Sequence, residues 1–179
     1  MKRYFPNADS LLDIGCGTGA VLSEISKEFK QMRLFGADAY SSALKYASGR
    51  IPTCEFAQMD AYRLPFVDEF KIVGAFDVLE HLDDDRNALM GLYKATQKGG
   101  GIILTVPHHK WLWSSTDDRA GHKRRYTRKE LYNKVNAAGF NIKYMTSFIT
   151  LLLPFMLLSR LNKKKINFKK YNNETFNFR

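Results

Sequence analysis

An apolar segment, Leu11-Leu12-Asp13-Ile14, runs directly into Gly15-Cys16-Gly17-Thr18-Gly19, and Ala20 opens a helical pattern behind it. Glycines at alternate positions between a strand and a helix leave few folds open. Glycine permits a tight turn and lets a ligand approach the backbone closely, while the first helical turn presents unpaired N–H groups. Gly15, Gly17 and Ala20 also satisfy G-x-G-x-x-A, the looser dinucleotide fingerprint. The loop predicts a nucleotide-like ligand and, by itself, leaves a nicotinamide or flavin enzyme open.

The surrounding pattern is that of an α/β domain. Strand-like runs fall at Ser10–Ile14, Arg33–Ala37, Thr53–Ala57, Phe70–Ala75, Ile102–Val106 and Asn141–Thr146. Helical stretches lie between them, at Ala20–Phe29, Ser42–Ala47, Arg86–Gln97 and Arg128–Ala138. Such alternation predicts a doubly wound, Rossmann-like and mainly parallel sheet with helices on both faces. Thr127-x-x-Glu130 has capping-box spacing, and Gly139 is placed to close the helix it starts. Asp83, Asp84 and Asp85 read as a helix start, negative charge at the positive end of the dipole.

Composition removes several classes. At 179 residues, with 45% apolar and 26% charged residues, the chain can bury a core and is neither a disordered tail nor a multi-span membrane protein. Cys16 and Cys54 are too few for a disulfide framework, which predicts a reducing, cytoplasmic location. No apolar stretch follows the basic N-terminal residues, so no signal peptide is expected. The +10 net charge is uneven: residues 1–100 carry −2 and residues 101–179 carry +12. The second half therefore suits an anionic partner or surface, or simply a solvated basic face.

Two acids follow the loop at strand ends. Asp38 ends the second run, in Leu34-Phe35-Gly36-Ala37-Asp38, where a carboxylate can accept both hydroxyls of an adenosine ribose. Asp60 follows the third run, and a parallel sheet would bring it to the same edge. At this point the chain resembles the class I S-adenosylmethionine (SAM)-dependent methyltransferases. DIGCGTG, the acid of GADAY, MDAYRLPF, FDVLEHLDD and KGGGIILTVP look like that family's successive motifs, from about Ser10 to Phe140. The resemblance implies SAM as cofactor, held by Asp13, Gly15, Cys16, Gly17, Gly19, Asp38, Ala39, Asp60, Ala61, Phe76 and Asp77. Within that set, Asp13 would hold the amino group or order the loop, and Asp60 with Ala61 would flank the adenine. The family's sheet order is 3-2-1-4-5-7-6, with strand 7 antiparallel. The complete N-terminal cover over SAM and a clear strand 7 are not expected from these ends.

The sulfonium of SAM already activates the methyl group, so no catalytic triad is needed; placement carries much of the acceleration. For a hydroxyl acceptor a general base helps, and His81 or His109, following the fourth and fifth runs, is the candidate. Asp77-x-x-Glu80-His81 resembles the Glu-x-x-Glu-His cluster with which some O-methyltransferases hold a divalent ion. Its first acid is a methylene shorter, and no metal is assigned. His122, Arg125 and Tyr126, in Gly121-His122-Lys123-Arg124-Arg125-Tyr126-Thr127, are the candidate acceptor-binding residues. This stretch resembles a bacterial subgroup associated with surface polysaccharide, lipid or quinone pathways. Paired guanidiniums suit a phosphate, carboxylate or sugar nucleotide, or ordinary salt bridges.

Residues 1–148 are thus expected to form the SAM-binding domain, and 149–179 an apolar segment with a basic tail. The charge-free run Tyr144–Ser159 is short for a bilayer span and is interrupted by Pro154. It is expected to cover a sheet edge or a dimer contact, with peripheral contact at the inner membrane face as the alternative. No nucleic-acid-binding motif accompanies the cations. The function expected is methyl transfer from SAM to a small-molecule or lipid- or saccharide-linked acceptor, at oxygen in preference to other atoms. An NAD(P)- or flavin-binding oxidoreductase and a catalytically silent binding module are the alternatives.

Overall fold

The computed structural model describes residues 1–148. The chain divides into two units, Met1–Lys143 and Tyr144–Arg179. Of the second unit only Tyr144–Phe148 are described, and none of these lies in a helix or strand. The expected apolar segment and basic tail, 149–179, lie outside the described residues.

The first unit is built on five parallel strands: β1 (Ser10–Ile14), β2 (Arg33–Asp38), β3 (Glu55–Gln58), β4 (Phe70–Phe76) and β5 (Thr96–Thr105). Their order is 3-2-1-4-5, with β1 at the centre. Among the described residues this is the whole sheet, and it is the Rossmann-like α/β architecture expected. Helices α1 (Ala20–Glu28), α2 (Ser41–Arg50), α3 (Asp85–Ala95), α4 (Ser115–Ala120) and α5 (Arg128–Ala137) connect or follow the strands.

Period-two alternation assigns β1 to both faces. Leu11 packs with Leu22 and Ile25 of α1 and Leu44 of α2. Leu12 and Ile14 pack with Leu89 and Leu92 of α3 and Val135 of α5. Both faces of the central strands are therefore dry, which is why these strands read as continuous apolar runs. At about 25 cal/mol per Å² of apolar surface, each fully buried leucine contributes roughly 2 kcal/mol. α3 starts where Asp84 accepts a hydrogen bond from the Asn87 N–H at 3.1 Å. α5 starts where the Thr127 hydroxyl accepts from the Glu130 N–H at 3.2 Å.

Two elements differ from expectation. α3 stops at Ala95, and β5 begins at once, at Thr96, through a register shift against β4 between Phe70 and Ile72. Gly100 makes this possible, because a Cβ there would lie 2.4 Å from the Lys71 carbonyl oxygen. The expected strand Asn141–Thr146 is not formed. Alternation specifies an extended chain, whereas a strand also needs a paired ladder; among the described residues β5 pairs with β4 alone. No helix among the described residues is long and apolar enough to cross a membrane.

Candidate functional site

All five strands point their C-terminal ends the same way, so the loops after them share one edge. The strand order reverses between β1 and β4, and open parallel sheets take ligands in the crevice at such a switch point.

The glycine loop fills the β1 side of that crevice. Gly15, Gly17 and Gly19 all have positive φ, at 70°, 54° and 75°. Gly15 is also pressed against Val78, where a Cβ would meet Cγ2 at 2.5 Å. At Gly17 the space is open, with nothing within 4 Å of where a Cβ would stand. Asp38, almost fully buried, braces the loop from below. One of its oxygens accepts the Gly17 N–H at 2.8 Å and the other the Tyr40 N–H at 2.9 Å. A carboxylate oxygen has two lone pairs, so each keeps capacity for one further donor. Ala39, exposed, accepts a hydrogen bond from Gln58 Nε2 at 2.8 Å, tying the ends of β2 and β3 together. Asp60 is exposed beyond β3 and accepts from the Tyr62 N–H at 2.9 Å, with half-buried Ala61 beside it.

Asp13 is the least compensated group of the loop. It is 1% exposed and its Oδ1 has no hydrogen-bond partner. Burial, with the Asp38 charge adding to it, pushes its pKa up to about 8. The Cys16 thiol, buried and facing both acids, is pushed up to about 12 and is inert as a nucleophile. A buried carboxyl with an unpartnered oxygen at the root of a loop, open space at the loop's crest and the spare acceptor capacity of Asp38 fit a ligand carrying an ammonium group and a ribose. SAM has both.

On the β4 side, Phe76 covers Gly74, and Asp77 takes a positive φ of 55°. The Asp77 carboxylate accepts from Thr105 Oγ1 at 3.0 Å, which ties it to the end of β5. A 3₁₀ turn, Leu79–His81, follows. Glu80 is 1% exposed, and neither of its carboxylate oxygens has a hydrogen-bond partner. Burial raises its pKa to about 7, its own backbone N–H opposing and the Asp77 charge adding. His81 is exposed, and partial desolvation with the nearby His122 lowers its pKa below the usual 6.5, against an opposing hydrogen bond to the Gly121 backbone.

The loop after β5 folds back over this turn. The Lys123 N–H donates to the Glu80 carbonyl at 2.7 Å, and Arg124 donates to the Asp83 carbonyl at 2.9 Å. His122 thereby meets His81 edge-to-face, with ring centroids 4.8 Å apart. Asp117, 1% exposed, holds His122 Nδ1 at 3.0 Å and receives Arg125 in a fork at 2.7 and 3.0 Å. Burial alone would raise the Asp117 carboxyl; the hydrogen bonds from Arg125, His122 and the Ser114 backbone hold it at about 2. Arg125 spends its remaining terminal nitrogen on the His108 carbonyl at 3.1 Å. Tyr126 is 1% exposed, and its hydroxyl donates towards Asp85 at 2.6 Å and lies 3.1 Å from the Leu79 carbonyl. Each nitrogen of Arg125 and the Tyr126 hydroxyl thus has a partner within the protein. His109 takes φ 62° and stacks on His108, centroids 3.7 Å apart, with Trp111 at 5.4 Å.

The sequence pattern assigns Asp117 no role and Asp85 only that of a helix start. Ser114-x-x-Asp117 forms a complete capping box, a signal that was present and that starts α4. Asp85 extends beyond its expected helix-start role. It is 3% exposed and pairs with Lys134 and Arg124.

A parallel sheet in the order 3-2-1-4-5, with a glycine loop after its central strand, a buried acid holding that loop and a crevice at the switch point, defines a Rossmann-like α/β protein. The methyltransferase-domain family matches residues 11–100, and the chain belongs to it, the class I SAM-dependent methyltransferases. It is 31% identical over 114 residues to an uncharacterized methyltransferase of Schizosaccharomyces pombe, covering 57% of this chain and 41% of that one. It is 28% identical over 114 residues to a ubiquinone/menaquinone biosynthesis C-methyltransferase of Desulfotalea psychrophila, covering 61% and 46%. A SAM-dependent methyltransferase structure from Mesorhizobium loti superposes with a TM-score of 0.70 at 18% identity, covering 84% and 85%. The chain spans less than half the length of these two curated relatives.

Proposed function

We propose that the chain transfers a methyl group from SAM to a small-molecule or lipid- or saccharide-linked acceptor, at an oxygen. The observation that carries this reading is Asp38, a buried carboxylate already hydrogen-bonded to the glycine loop with acceptor capacity to spare. Family membership supports the choice of SAM over a nicotinamide or flavin.

When bound, SAM supplies an electrophilic methyl on a sulfonium. The chain's residues then bind and orient. Asp38 accepts ribose hydroxyls, Asp60 and Ala61 border the adenine, and the loop N–H groups with Asp13 face the methionine end. Binding an ammonium beside Asp13 gives its orphaned oxygen a partner, and a buried carboxylate gains most from such pairing. Phe76 and Asp77 border the opening at the end of β4. His81 and His109 are the two side chains assigned to accept a proton from a hydroxyl acceptor. A neutral imidazole can do so, and the lowered His81 pKa favours that form at neutral pH. Arg125 and Tyr126 contribute by fixing the loop that carries His122, so acceptor contact falls to His122.

Titration calorimetry of the purified chain with SAM, S-adenosylhomocysteine and NADH tests the reading, followed by tritiated SAM with acceptor extracts. Binding of the first two without NADH, and label in an extract component, are expected. Tight binding of NADH alone would overturn it, and SAM binding without turnover on any acceptor would favour a silent module.

A further inference from the structure

We infer that Glu80, His81 and His122 form a binding site for one divalent transition-metal ion of the zinc type. The three side chains each bring one ligand atom, and these atoms all lie within 4.8 Å of one another. The site stands on its own geometry and does not depend on the methyl-transfer reading.

Proximity alone would be weak, but a second observation points to a cation. Glu80 is a buried carboxylate whose two oxygens find no hydrogen-bond partner on any other residue, and its own backbone N–H offsets only part of the cost of burial. A buried anion without a partner is costly, and a bound cation removes that cost. The imidazoles are also prepared as ligands. His122 has Nδ1 fixed by Asp117 at 3.0 Å, which leaves Nε2 as the lone-pair nitrogen. The His81 ring is hydrogen-bonded to the Gly121 backbone. Metal-ligating histidines are oriented in this way, with the second nitrogen held by a carboxylate or carbonyl.

The donor set also selects the ion. Two imidazoles and one carboxylate suit zinc and its neighbours, whereas magnesium and calcium prefer oxygen ligands. Donors around tetrahedral zinc stand about 3.3 Å apart, given metal–nitrogen bonds of ~2.0–2.1 Å. Pairs standing as far apart as 4.8 Å here must close towards that spacing when the ion binds. Asp77, the first acid of the motif, is not in the group; its carboxylate is held by Thr105. Three protein ligands leave a coordination position open to water or an acceptor oxygen. With His81 on the ion, the proton-accepting role proposed above passes to His109.

The test is titration calorimetry of the full chain, stripped of metal by chelator, with Zn²⁺ and separately with Mg²⁺; the Co²⁺ form is followed by its visible absorption. One equivalent of Zn²⁺ and a Co²⁺ band of a low-coordinate nitrogen and oxygen site are expected, with Mg²⁺ at least ~100-fold weaker. Glu80→Gln, His81→Asn and His122→Asn should each weaken Zn²⁺ by about tenfold or more, as should Asp117→Asn through His122. His109→Asn, outside the group, should leave Zn²⁺ binding unchanged. His81 is exposed, so His81→Asn remains informative if Glu80→Gln fails to fold. Absence of stoichiometric Zn²⁺ binding, or binding indifferent to His81→Asn and His122→Asn, overturns the site. Equal Mg²⁺ affinity overturns the class of ion. Because metal is read directly, failure here leaves the SAM-binding test unaffected.

Discussion

Asp38 does two jobs with one carboxylate. It satisfies the N–H groups of Gly17 and Tyr40, and in the proposed function it also accepts from the ribose. Hydrogen bonds to charged groups contribute about 1.5–3 kcal/mol each. Asp38→Ala is therefore expected to weaken SAM by at least ~10-fold and to lower folding stability by a few kcal/mol. Calorimetry and urea unfolding measure the two effects; unchanged SAM affinity would remove Asp38 from the site. This residue was legible in the sequence because strand, glycine loop and acid occupy consecutive positions of one βαβ unit. His122 beside His81 was not, since nothing in either segment's periodicity says which loops of the edge will touch. The pairing depends on Asp117, Lys123 and Arg124, polar contacts whose partners lie far away in sequence.

At the scale of elements, the loop before α5 is latched to the turn after β4. Tyr126 crosses that junction in the core, its hydroxyl between Asp85 and the Leu79 carbonyl. Burial raises its pKa further above the ordinary range, with Asp85 adding, so it stays a neutral donor. Tyr126→Phe keeps the ring but removes the one O–H donor that stands between Asp85 and the Leu79 carbonyl. A loss of about 1–3 kcal/mol is expected in urea unfolding. Asp85 keeps Lys134 and Arg124, which limits the loss. Thr127→Ala, one residue on, should cost about 1 kcal/mol by removing the α5 cap, and a double-mutant cycle would show how far the two losses couple. The cap was readable from Thr127 and Glu130 because capping is local. The β5 start at Thr96 and the unformed strand at 141–146 were not, because both turn on what a segment pairs with. Helix α4 escaped notice for a simpler reason: its six residues are too few to show a hydrophobic period.

Taken as a whole, the molecule holds two buried acids with raised pKa values beside one crevice, Asp13 at about 8 and Glu80 at about 7. Their ordinary values are 3.8 and 4.5, so the unfolded chain ionises first as pH rises. Each group therefore favours the folded state below its unfolded pKa and loses that contribution as pH rises through the folded pKa. Over the Asp13 window, from about 4 to about 8, the slope for this one group approaches ~1.4 kcal/mol per pH unit. Asp85 and Asp117 act oppositely, their lowered values favouring the fold until pH falls through them, which confines their effect to more acidic solution. SAM reverses the Asp13 trend if its ammonium pairs with that carboxylate, since only the ionised form attracts it. Apo stability should thus fall between pH 5 and pH 8 on the order of kcal/mol, while SAM affinity rises across the same interval. Asp13→Asn removes the titrating group and should flatten both profiles, leaving the Glu80 component of the apo slope. Urea unfolding and calorimetry at several pH values check the pair of slopes. An affinity indifferent to pH in the unsubstituted chain, with a sloping apo stability, would show that Asp13 orders the loop and does not meet the ammonium.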